Sequence, residues 1–536
     1  MYPMKLRLRL LLVLLLFLPA SVQAQSGDYP LYLPFISRGL SAPQLKWAYG
    51  GCYASWCETG WYSSPAVINI DGDSQGEIIA SAYTLWALDG ETGTLQWRVD
   101  PKGSRTWPGI VLADLERDGT TEIVVAQGGG WITVYTLNGT LKWERQPSSS
   151  ELRGLLVADL DGNASSLEVI VTSAIGSRTS TWVLESNGNT RPGWPQITSE
   201  NSGYAWGVYN DNASAANLSG DSRLEIIVPT DVHYILGLNP DGSPLAVNAS
   251  TYPNHSVKVW GRIGVWEDLA VEIRSWGYCQ SGQPRSENYR PNFANSPASI
   301  ADLDNNGQLE IVVVGNVYDC SKDPYQSRYY GPFIFNADRT RFNSSGFDWR
   351  STPVDTGTPL SEDYNQIESA LPNPVLADLD GDGLKEILYA SYDGRVHAFW
   401  LDKTEHGSWP FSVYNAAEGF YRFASEPAVA DLDDDGLAEV IFTSWPQKGN
   451  NRTGKLHILS AYGQPIFTVD LPAGRNGNWN GALPAPTLAN VDNDNDLEIV
   501  LNTAYSGVVV YDLAGTARAR LLWATGRGNY QRTGAP

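Results

Sequence analysis

The chain has 536 residues and a formal net charge of −22, and only 18% of its residues are charged. Its 52 Gly, 32 Pro, 20 Trp and 27 Tyr are typical of many short strands and turns, and exclude a helical bundle. The acidic balance argues against nucleic acid or an anionic membrane surface as a partner, because both bind basic surfaces.

The first 24 residues have the pattern of a secretory signal peptide. Basic residues precede an apolar run at 10–18, and residues 22–24 form a small-residue cleavage site. The run is shorter than the roughly 20 residues of a membrane span. We therefore expect a secreted protein, extracellular or at the cell surface, without a membrane span after cleavage. Residues 25–43 are predicted to be a leader outside the fold, and the protein is predicted to be a monomer.

The chain has four cysteines, an even number that indicates disulfide bonds in an exported protein. Cys52 and Cys57 are near enough in sequence to close a small loop. By elimination, Cys279 is predicted to pair with Cys320.

A nine-residue acidic pattern recurs eight times, and DLDGDGLKE at 378–386 is a clear example. The other copies lie at 69–77, 114–122, 159–168, 217–225, 302–310, 431–439 and 490–498, and the third has one extra residue. Repetition on this scale takes precedence over a domain count based on length.

Short apolar runs flank each acidic pattern and predict about four strands per repeat. Examples are PVLA at 374–377 before a pattern and GRVHAFWL at 394–401 after it. Such repeats are typical of a closed β-propeller, an all-β fold. We predict eight four-stranded antiparallel blades within residues 44–536, with seven blades as the alternative. TLQW at 94–97, TLKW at 140–143 and RLLW at 520–523 are predicted fourth strands, and LKW at 45–47 could pair with the last blade and close the ring.

The acidic pattern has the chemistry of a calcium loop. In the copy at 378–386, oxygen-bearing side chains occupy positions 1, 3, 5 and 9, and Gly383 allows a tight turn. Alternating oxygen ligands on a tight loop suit a hard cation such as Ca²⁺. The spacing differs from an EF-hand, in which the last acid lies at position 12 and helices flank the loop.

These patterns resemble the FG-GAP/VCBS repeat family over about residues 69–523. The resemblance implies an integrin-alpha-type propeller in which the loop between the first two strands of a blade binds calcium. The implied ligands are Asp378, Asp380, Asp382 and Glu386; Asp431, Asp433, Asp435 and Glu439; Asp302, Asp304, Asn306 and Glu310; Asp114, Glu116, Asp118 and Glu122; Asn490, Asp492, Asp494 and Glu498; and Asn69, Asp71, Asp73 and Glu77.

Two loops depart from the family pattern. Ser219 replaces an acid in the fourth loop, and an extra residue precedes Glu168 in the third. An alternative reading applies to every loop: Asp and Asn can close a turn by accepting hydrogen bonds from their own backbone, without a metal.

The stretch LWALDGETGTLQW at 85–97 is similar to the repeat of quinoprotein propellers, in which a tryptophan docks one blade against the next. We accordingly interpret Trp97, Trp143 and Trp523 as docking residues.

Two long inserts, near 247–295 and 316–370, are predicted to emerge on the face opposite the acidic loops. They are rich in aromatic and basic residues, which suit sugar rings or a protein partner when exposed. The candidate ligand-binding residues are Trp260, Trp266, Trp276, Tyr278 and Arg274. The alternative is a self-packed cap that Cys279 and Cys320 hold in place.

Two functions remain open at the level of sequence. The favoured one is a non-catalytic binding or adhesion propeller for an extracellular carbohydrate or protein, since no catalytic constellation is evident. The alternative is a calcium-dependent polysaccharide lyase. Its acid and base residues would come from the inserts, where the candidates are Glu267, Asp268, Glu272, Glu287 and Tyr289.

Overall fold

A computed structural model describes residues 39–50, 62–176, 180–196, 207–208, 212–274, 279, 281–283, 285–322, 326–344, 346–354, 357–361, 363, 371–447, 449–474 and 479–535. The predicted signal peptide, most of the leader, and Cys52, Cys57, Trp276 and Tyr278 lie outside these residues. The fold is an eight-bladed β-propeller, as predicted, and its sheets are mainly four-stranded and antiparallel.

The first half of the ring contains blades one to four. Strand β1 is Gln44–Tyr49. Blade one contains β2 Ala66–Ile68, β3 Glu77–Ser81, β4 Leu85–Leu88 and β5 Leu95–Val99, and blade two contains β6 Val111–Ala113, β7 Glu122–Ala126, β8 Ile132–Thr136 and β9 Leu141–Arg145. Blade three contains β10 Leu152–Ala158, β11 Glu168–Ser173 and β13 Thr181–Leu184, beside the short pair β12 Ile175–Gly176 and β14 Gly207–Val208. Blade four contains β15 Ser214–Ala216, β16 Glu225–Pro229 and β17 Ile235–Leu238.

The second half contains blades five to eight. Blade five contains β18 Tyr289–Asn292, β19 Ser299–Ala301, β20 Glu310–Asp319 and β21 Gln326–Asn336, followed by the hairpin β22 Asn343–Ser344 and β23 Phe347–Asp348. Blade six contains β24 Val375–Ala377, β25 Glu386–Ala390, β26 Arg395–Phe399 and β27 Phe411–Ser412. Blade seven contains β28 Arg422–Ala424, β29 Ala428–Asp431, β30 Glu439–Pro446, β31 Lys455–Leu459 and β32 Pro465–Asp470. Blade eight contains β33 Thr487–Ala489, β34 Leu497–Asn502 and β35 Val508–Leu513, and β36 is Arg520–Trp523.

The helices are short. They are α1 Leu269–Glu272, α2 Arg285–Asn288 and the 3-10 turns Gly128–Gly130, Trp260–Arg262 and Ala416–Glu418. None of the helices in the described ranges is long and apolar enough to cross a membrane.

Blades three and four depart from the four-stranded pattern. In the described residues each has three ladder strands, and isolated bridges at Thr190 and Pro244 hold the fourth position. Prolines in these segments, such as Pro195 and Pro244, lack the N–H that a continuous ladder needs.

Strand β1 closes the ring, as the sequence suggested. It pairs with β35 of blade eight, and Trp47 lies opposite Val510. The last blade therefore combines both ends of the repeat array, which leaves no open edge between the first and last blades.

The prediction for RLLW at 520–523 was wrong. Strand β36 pairs with β29, the inner strand of blade seven, and is not the fourth strand of blade eight. The fourth position is already filled by β1, so residues 520–535 turn to the centre of the ring. Correspondingly, Trp523 does not dock two outer strands; its Nε1 donates to Glu426 Oε1 at 3.1 Å.

Residues 520–535, the axial tail, lie among the inner strands. Backbone N–H groups of Leu112, Val157, Ile300 and Leu488 donate to carbonyls of this tail at 2.7–3.1 Å. These donors belong to blades two, three, five and eight. The tail thus connects inner strands from different sides of the ring.

The tail carries two buried arginines that bind backbone carbonyls. Arg532 donates to carbonyls of Ile110, Ser64 and Pro65 at 2.9–3.2 Å. Arg527 donates to Ser214 Oγ at 2.7 Å and to Ala298 O. These contacts satisfy carbonyls that face the axis and would otherwise be buried without a partner.

Tryptophans dock successive blades, as predicted for Trp97 and Trp143. In the described part of the chain, seven tryptophans donate Nε1 to a carbonyl in the next blade at 2.8–3.2 Å. The pairs are Trp47 with Gly90, Trp97 with Leu137, Trp143 with Ser186, Trp194 with Pro240, Trp260 with Ala337, Trp349 with Leu401, and Trp409 with Ala461.

Some docked rings also lie against a glycine of the accepting turn. Gly188 has φ +81°, and a Cβ there would come within 2.8 Å of the Trp143 ring. Blade seven has Phe467 at the equivalent position, opposite Ile458 as Trp97 is opposite Ala87. Its interface with blade eight lacks this indole hydrogen bond because phenylalanine has no N–H.

Candidate functional site

Each acidic loop joins the inner strand of its blade, such as β19 or β29, to the strand that follows it in sequence, in agreement with the family resemblance. In every blade the glutamate at the last loop position accepts a hydrogen bond, through Oε2, from the backbone N–H of the second loop residue at 2.6–2.9 Å. The pairs are Glu77 with Ile70, Glu122 with Leu115, Glu168 with Leu160, Glu225 with Leu218, Glu310 with Leu303, Glu386 with Leu379, Glu439 with Leu432, and Glu498 with Val491.

The loop of blade six shows how the other acids are used. Asp378 accepts backbone N–H groups from Gly381 and Gly383 at 2.7 and 2.9 Å, and Asp382 accepts one from Leu384 at 2.8 Å. These bonds are the metal-free turn closure considered as the alternative for the motif.

Two oxygens of the same loop are not used in turn closure. Asp380 Oδ1 and Glu386 Oε1 are buried, and neither has a hydrogen-bond partner among the described residues. The same holds for Oε1 of Glu439 and Glu498. A buried carboxylate oxygen without a donor is costly unless a cation lies beside it.

The spacing of the acids fits one cation per loop. One ligand atom from each of Asp378, Asp380 and Glu386 lies within 4.8 Å of the others, and the trio Asp431, Asp433 and Glu439 is arranged alike. Two oxygens on opposite sides of a calcium ion are about 5 Å apart, because each Ca–O bond is about 2.4 Å. The donor set therefore fits Ca²⁺.

The glutamates are electrostatically strained when no cation is bound. Burial raises the pKa of Glu386 to about 9, and the nearby Asp380 and Asp382 raise it further. Burial likewise raises the pKa of Glu439 and of Glu498 to about 8. Proton uptake and cation binding are two ways to relieve the same excess of negative charge.

In blade two a lysine lies among the predicted ligands. Lys142 Nζ is 2.6 Å from Glu122 Oε1 and 2.8 Å from Glu116 Oε2. Its ammonium group thus supplies a positive charge at the loop. In blade eight, Lys46 likewise binds Asp492 of the predicted ligand set.

Arginines contact two further loops. Arg191 approaches Asp161 at 2.8 Å and Glu168 at 3.3 Å in blade three, whose loop contains the extra residue. Arg520 of the axial tail binds Asp431 Oδ2 at 2.7 Å in blade seven. By contrast, no ion pair within the described ranges involves Asp378, Asp380, Asp382 or Glu386.

Sequence reasoning missed the basic residues, although a signal was present. Lys46 and Lys142 both stand directly before a docking tryptophan, in the triplet LKW. In blade one the same position is Gln96, whose Nε2 is 3.4 Å from Glu77 Oε1. The residue before the tryptophan thus faces the acidic loop of its own blade.

The expected exposure of the insert tryptophans was wrong for the two that are described. Trp260 has no solvent exposure, and Trp266 is 4% exposed. Trp260 docks blade four against Ala337, whereas Trp266 packs with Val271 and the Cys320 side chain. Hydrophobic burial therefore outweighs surface presentation at both positions, in agreement with the self-packed cap.

The predicted bond between Cys279 and Cys320 is present, with a Cα–Cα distance of 5.3 Å. It connects the insert to the end of β20. Arg274, the remaining described candidate, is half exposed and forms an ion pair with Glu287 at 3.0 Å.

The acidic residues of the insert serve packing. Glu272 is fully buried and binds Arg341 at 2.6 Å and Arg339 at 3.3 Å. Burial opposes ionisation of Glu272, but these two guanidinium groups outweigh it and lower its pKa. Glu267 binds Arg285 at 2.9 Å and accepts a hydrogen bond from Tyr329.

Several solved structures are similar to this chain. No curated protein matches the chain in sequence. Among solved structures, the exotype rhamnogalacturonan lyase YesX has 14% identity, covers 92% of this chain and 80% of its own, and has a TM-score of 0.51. The rhamnogalacturonan lyase YesW has 14% identity, with coverage of 92% and 81% and a TM-score of 0.48. BamB from Moraxella catarrhalis has 14% identity, with coverage of 84% and 99% and a TM-score of 0.45.

One segment matches a family directly. Residues 378–442 match the FG-GAP-like repeat, and they contain the acidic loops of blades six and seven. Together with the eight-bladed ring, this match confirms the resemblance of the chain to FG-GAP repeat propellers.

Proposed function

We propose that this protein is a secreted, calcium-stabilised propeller that binds an extracellular carbohydrate or protein on its insert face. The insert face is the side opposite the acidic loops, formed by β18 and the far ends of β20 and β21. The observation that carries the calcium assignment is the pair of buried, unpartnered oxygens, Asp380 Oδ1 and Glu386 Oε1.

Calcium is assigned first to blade six, where Asp378, Asp380, Asp382 and Glu386 would hold it. The corresponding residues of blades five and seven would hold further ions. Bound calcium would supply positive charge to the loop and fix the turn between the first two strands. In blade two, Lys142 would take over this role.

Two cross-links in the described part of the insert support a binding role. The Cys279–Cys320 bond and the buried Glu272–Arg341 pair fix the insert on blade five. A preorganised surface loses little conformational freedom on association and therefore binds more tightly. Glu267, Glu272 and Glu287 are held by arginines, and Asp268 accepts the backbone N–H of Ala270, so no acid or base is assigned to these carboxylates.

Two measurements test the proposal. Thermal unfolding of calcium-loaded protein should shift to lower temperature when EDTA is added, since each site adds about 2.7 kcal/mol at a hundredfold excess over Kd. On a glycan array and an extracellular protein array, binding should be detected in the presence of calcium. Turnover assays with uronic-acid polysaccharides should release no product. Product release would indicate a lyase instead of a binding protein. A melting curve that EDTA leaves unchanged would contradict the calcium assignment.

A further inference from the structure

A cavity of about 260 Å³ lies between blades five and six on the insert face. Its walls come from the segment 292–296, from the far end of β20, from β21 and from the turn after β25. Residues at its mouth, including Asn292 and Tyr318, are half-buried, whereas Asn316 and Tyr392 deeper inside are buried. The volume approaches the lower end of typical small-molecule pockets, about 300 Å³.

The described lining is polar but uncharged. Three amides and three phenol rings provide most of it: Asn292, Asn295, Asn316, Tyr318, Tyr330 and Tyr392. No Asp, Glu, Lys, Arg or His is among the described residues that line the cavity. Amides and hydroxyls offer both donors and acceptors, so the lining matches a ligand with several neutral hydroxyl groups.

The lining is held in place by its own contacts. Asn295 Nδ2 donates to the Tyr392 hydroxyl at 3.2 Å, and Asn316 Nδ2 donates to the Tyr318 hydroxyl at 3.0 Å. The rings of Tyr330 and Tyr392 are stacked, with centroids 5.2 Å apart. Polar groups fixed before a ligand arrives lose little entropy on binding.

The geometry points to a binding site for one neutral sugar ring, such as a hexose or deoxyhexose residue at the end of a glycan. Aromatic edges and faces suit the C–H groups of a pyranose ring, while the amides suit its hydroxyls. A uronic acid fits less well, since its carboxylate would have no cationic partner among the described lining residues. This inference rests on the carbohydrate branch of the proposed function and names its site and ligand class.

The test uses the full protein in calcium and a panel of methyl glycosides of glucose, galactose, mannose and rhamnose, with galacturonic acid as the charged comparison. Saturation-transfer NMR and calorimetry report binding. We expect at least one neutral glycoside to bind and galacturonic acid to bind at least about tenfold more weakly. Equal or tighter binding of galacturonic acid, or no binding of any neutral glycoside, would overturn the assignment.

Variants locate the site. Tyr318→Ala should weaken binding of the neutral glycoside by about tenfold or more. Tyr83→Ala removes a half-buried tyrosine from the corresponding turn of blade one and should leave binding within about twofold. Ala294→Trp, which fills the mouth while keeping the polar floor, should abolish binding and serves if Tyr318→Ala does not fold. Unchanged binding in Ala294→Trp would overturn the site.

The outcome separates this inference from the proposed function. If the protein binds array glycans and Ala294→Trp binds them equally well, carbohydrate binding stands but this cavity is not the site. If only extracellular proteins bind, both the cavity assignment and the carbohydrate branch are wrong, and the protein branch stands.

Discussion

Glu386 divides its two oxygens between two tasks. Oε2 holds the loop backbone, and this bond recurs in all eight blades, including those where a basic residue contacts the loop. Oε1 faces the other acids and is the atom that a cation would reach. The glutamate therefore holds the turn in each blade, whereas the positive charge beside it comes from lysine in blade two and from arginine in blade three, and is proposed to come from calcium in blade six.

The first prediction concerns Asp380. Asp380→Asn should reduce the calcium-dependent rise in melting temperature, because it removes one carboxylate ligand. It should not lower stability in EDTA, because it removes charge beside Glu386 and keeps an oxygen that can accept the Trp400 indole N–H. Asp118→Asn in blade two is the matched control and should keep the full calcium response. Differential scanning calorimetry with and without EDTA measures both. Equal calcium responses in the two variants would contradict the assignment of calcium to blade six.

The second prediction concerns Lys142. Lys142→Met leaves Glu122 buried without its ammonium partner, which should cost up to about 3 kcal/mol in EDTA. Added calcium should restore most of this loss, so the calcium response should exceed that of wild type. Lys102→Met, at an exposed ion pair with Glu144, is the control. A variant that is destabilised equally with and without calcium would show that the blade-two loop cannot accept the ion.

The third prediction concerns pH. His397 is buried between Asp393 and Glu405 and stacks on Tyr389. Burial lowers its pKa, but the two carboxylates outweigh burial and raise it to about 9. Because the folded pKa exceeds the unfolded value near 6.5, this stabilisation is complete below about pH 6.5 and is lost as the pH rises through about 9.

His397→Gln should therefore be less stable than wild type at pH 6, and the difference should shrink by pH 9.5. Urea unfolding at both pH values gives the free energy of unfolding of wild type and variant. Subtracting one from the other removes the contribution of groups that titrate in both proteins. A difference that grows with pH would mean that His397 is neutral in the folded protein.

At the scale of elements, the outer strands carry the contacts between blades. A docking tryptophan combines ring burial with an indole hydrogen bond to the neighbouring turn, as Trp349 does with Leu401 at 2.8 Å. The residue directly before this position is bulged out of the ladder, as Gln96 is before Trp97 and Ile466 is before Phe467. The repeat therefore encodes both the blade and its attachment to the next one.

The fourth prediction tests this attachment. Trp349→Phe keeps an aromatic ring but removes the N–H, which leaves a buried carbonyl without its donor. We expect a loss of about 1–2 kcal/mol in the free energy of unfolding. Trp131→Phe, at a half-buried ring outside the docking set, should change stability by less than about 0.5 kcal/mol. If both variants lose the same free energy of unfolding, the loss is due to the smaller ring and not to the indole hydrogen bond.

The strands near each acidic loop could be predicted from sequence because the signal for them, an apolar run, lies directly beside the loop. Apolar runs on both sides of DLDGDGLKE become β24 and β25. The fourth strands were harder to predict from sequence. Prolines interrupt those of blades three and four, and the RLLW segment near the end of the chain resembles a fourth strand but is not one. Burial of Trp266 was not evident either, because sequence does not reveal which neighbours cover an aromatic residue.

At the scale of the whole molecule, the ring is joined along its axis as well as around its rim. The path of the axial tail could not be predicted, because its hydrogen bonds reach inner strands hundreds of residues away and follow no periodic pattern. Arg532 to Ile110 spans 422 residues of sequence. Such contacts depend on the closed ring and cannot be predicted from any short stretch of the sequence.

The fifth prediction addresses the axis. Arg532→Met keeps much of the side-chain volume but removes the donors to several buried carbonyls, so unfolding should require about 2–4 kcal/mol less. Arg518→Met, at a side chain that is 83% exposed, should be neutral. Chemical denaturation of both variants measures the change in the free energy of unfolding. If Arg532→Met does not change it, water replaces the guanidinium at the axis.

Closure by β1 also sets a time order for folding. Lys46 and Asp492, which meet where the ring closes, are separated by 446 residues. During synthesis, strand β1 must therefore wait for the other strands of blade eight, and the axial tail can be placed only after the inner strands around it exist. Contacts between distant parts of a chain form slowly, and waiting strands expose unpaired edges that other chains can bind. Late completion thus leaves a long period in which chaperones, proteases or neighbouring nascent chains compete with the native ring.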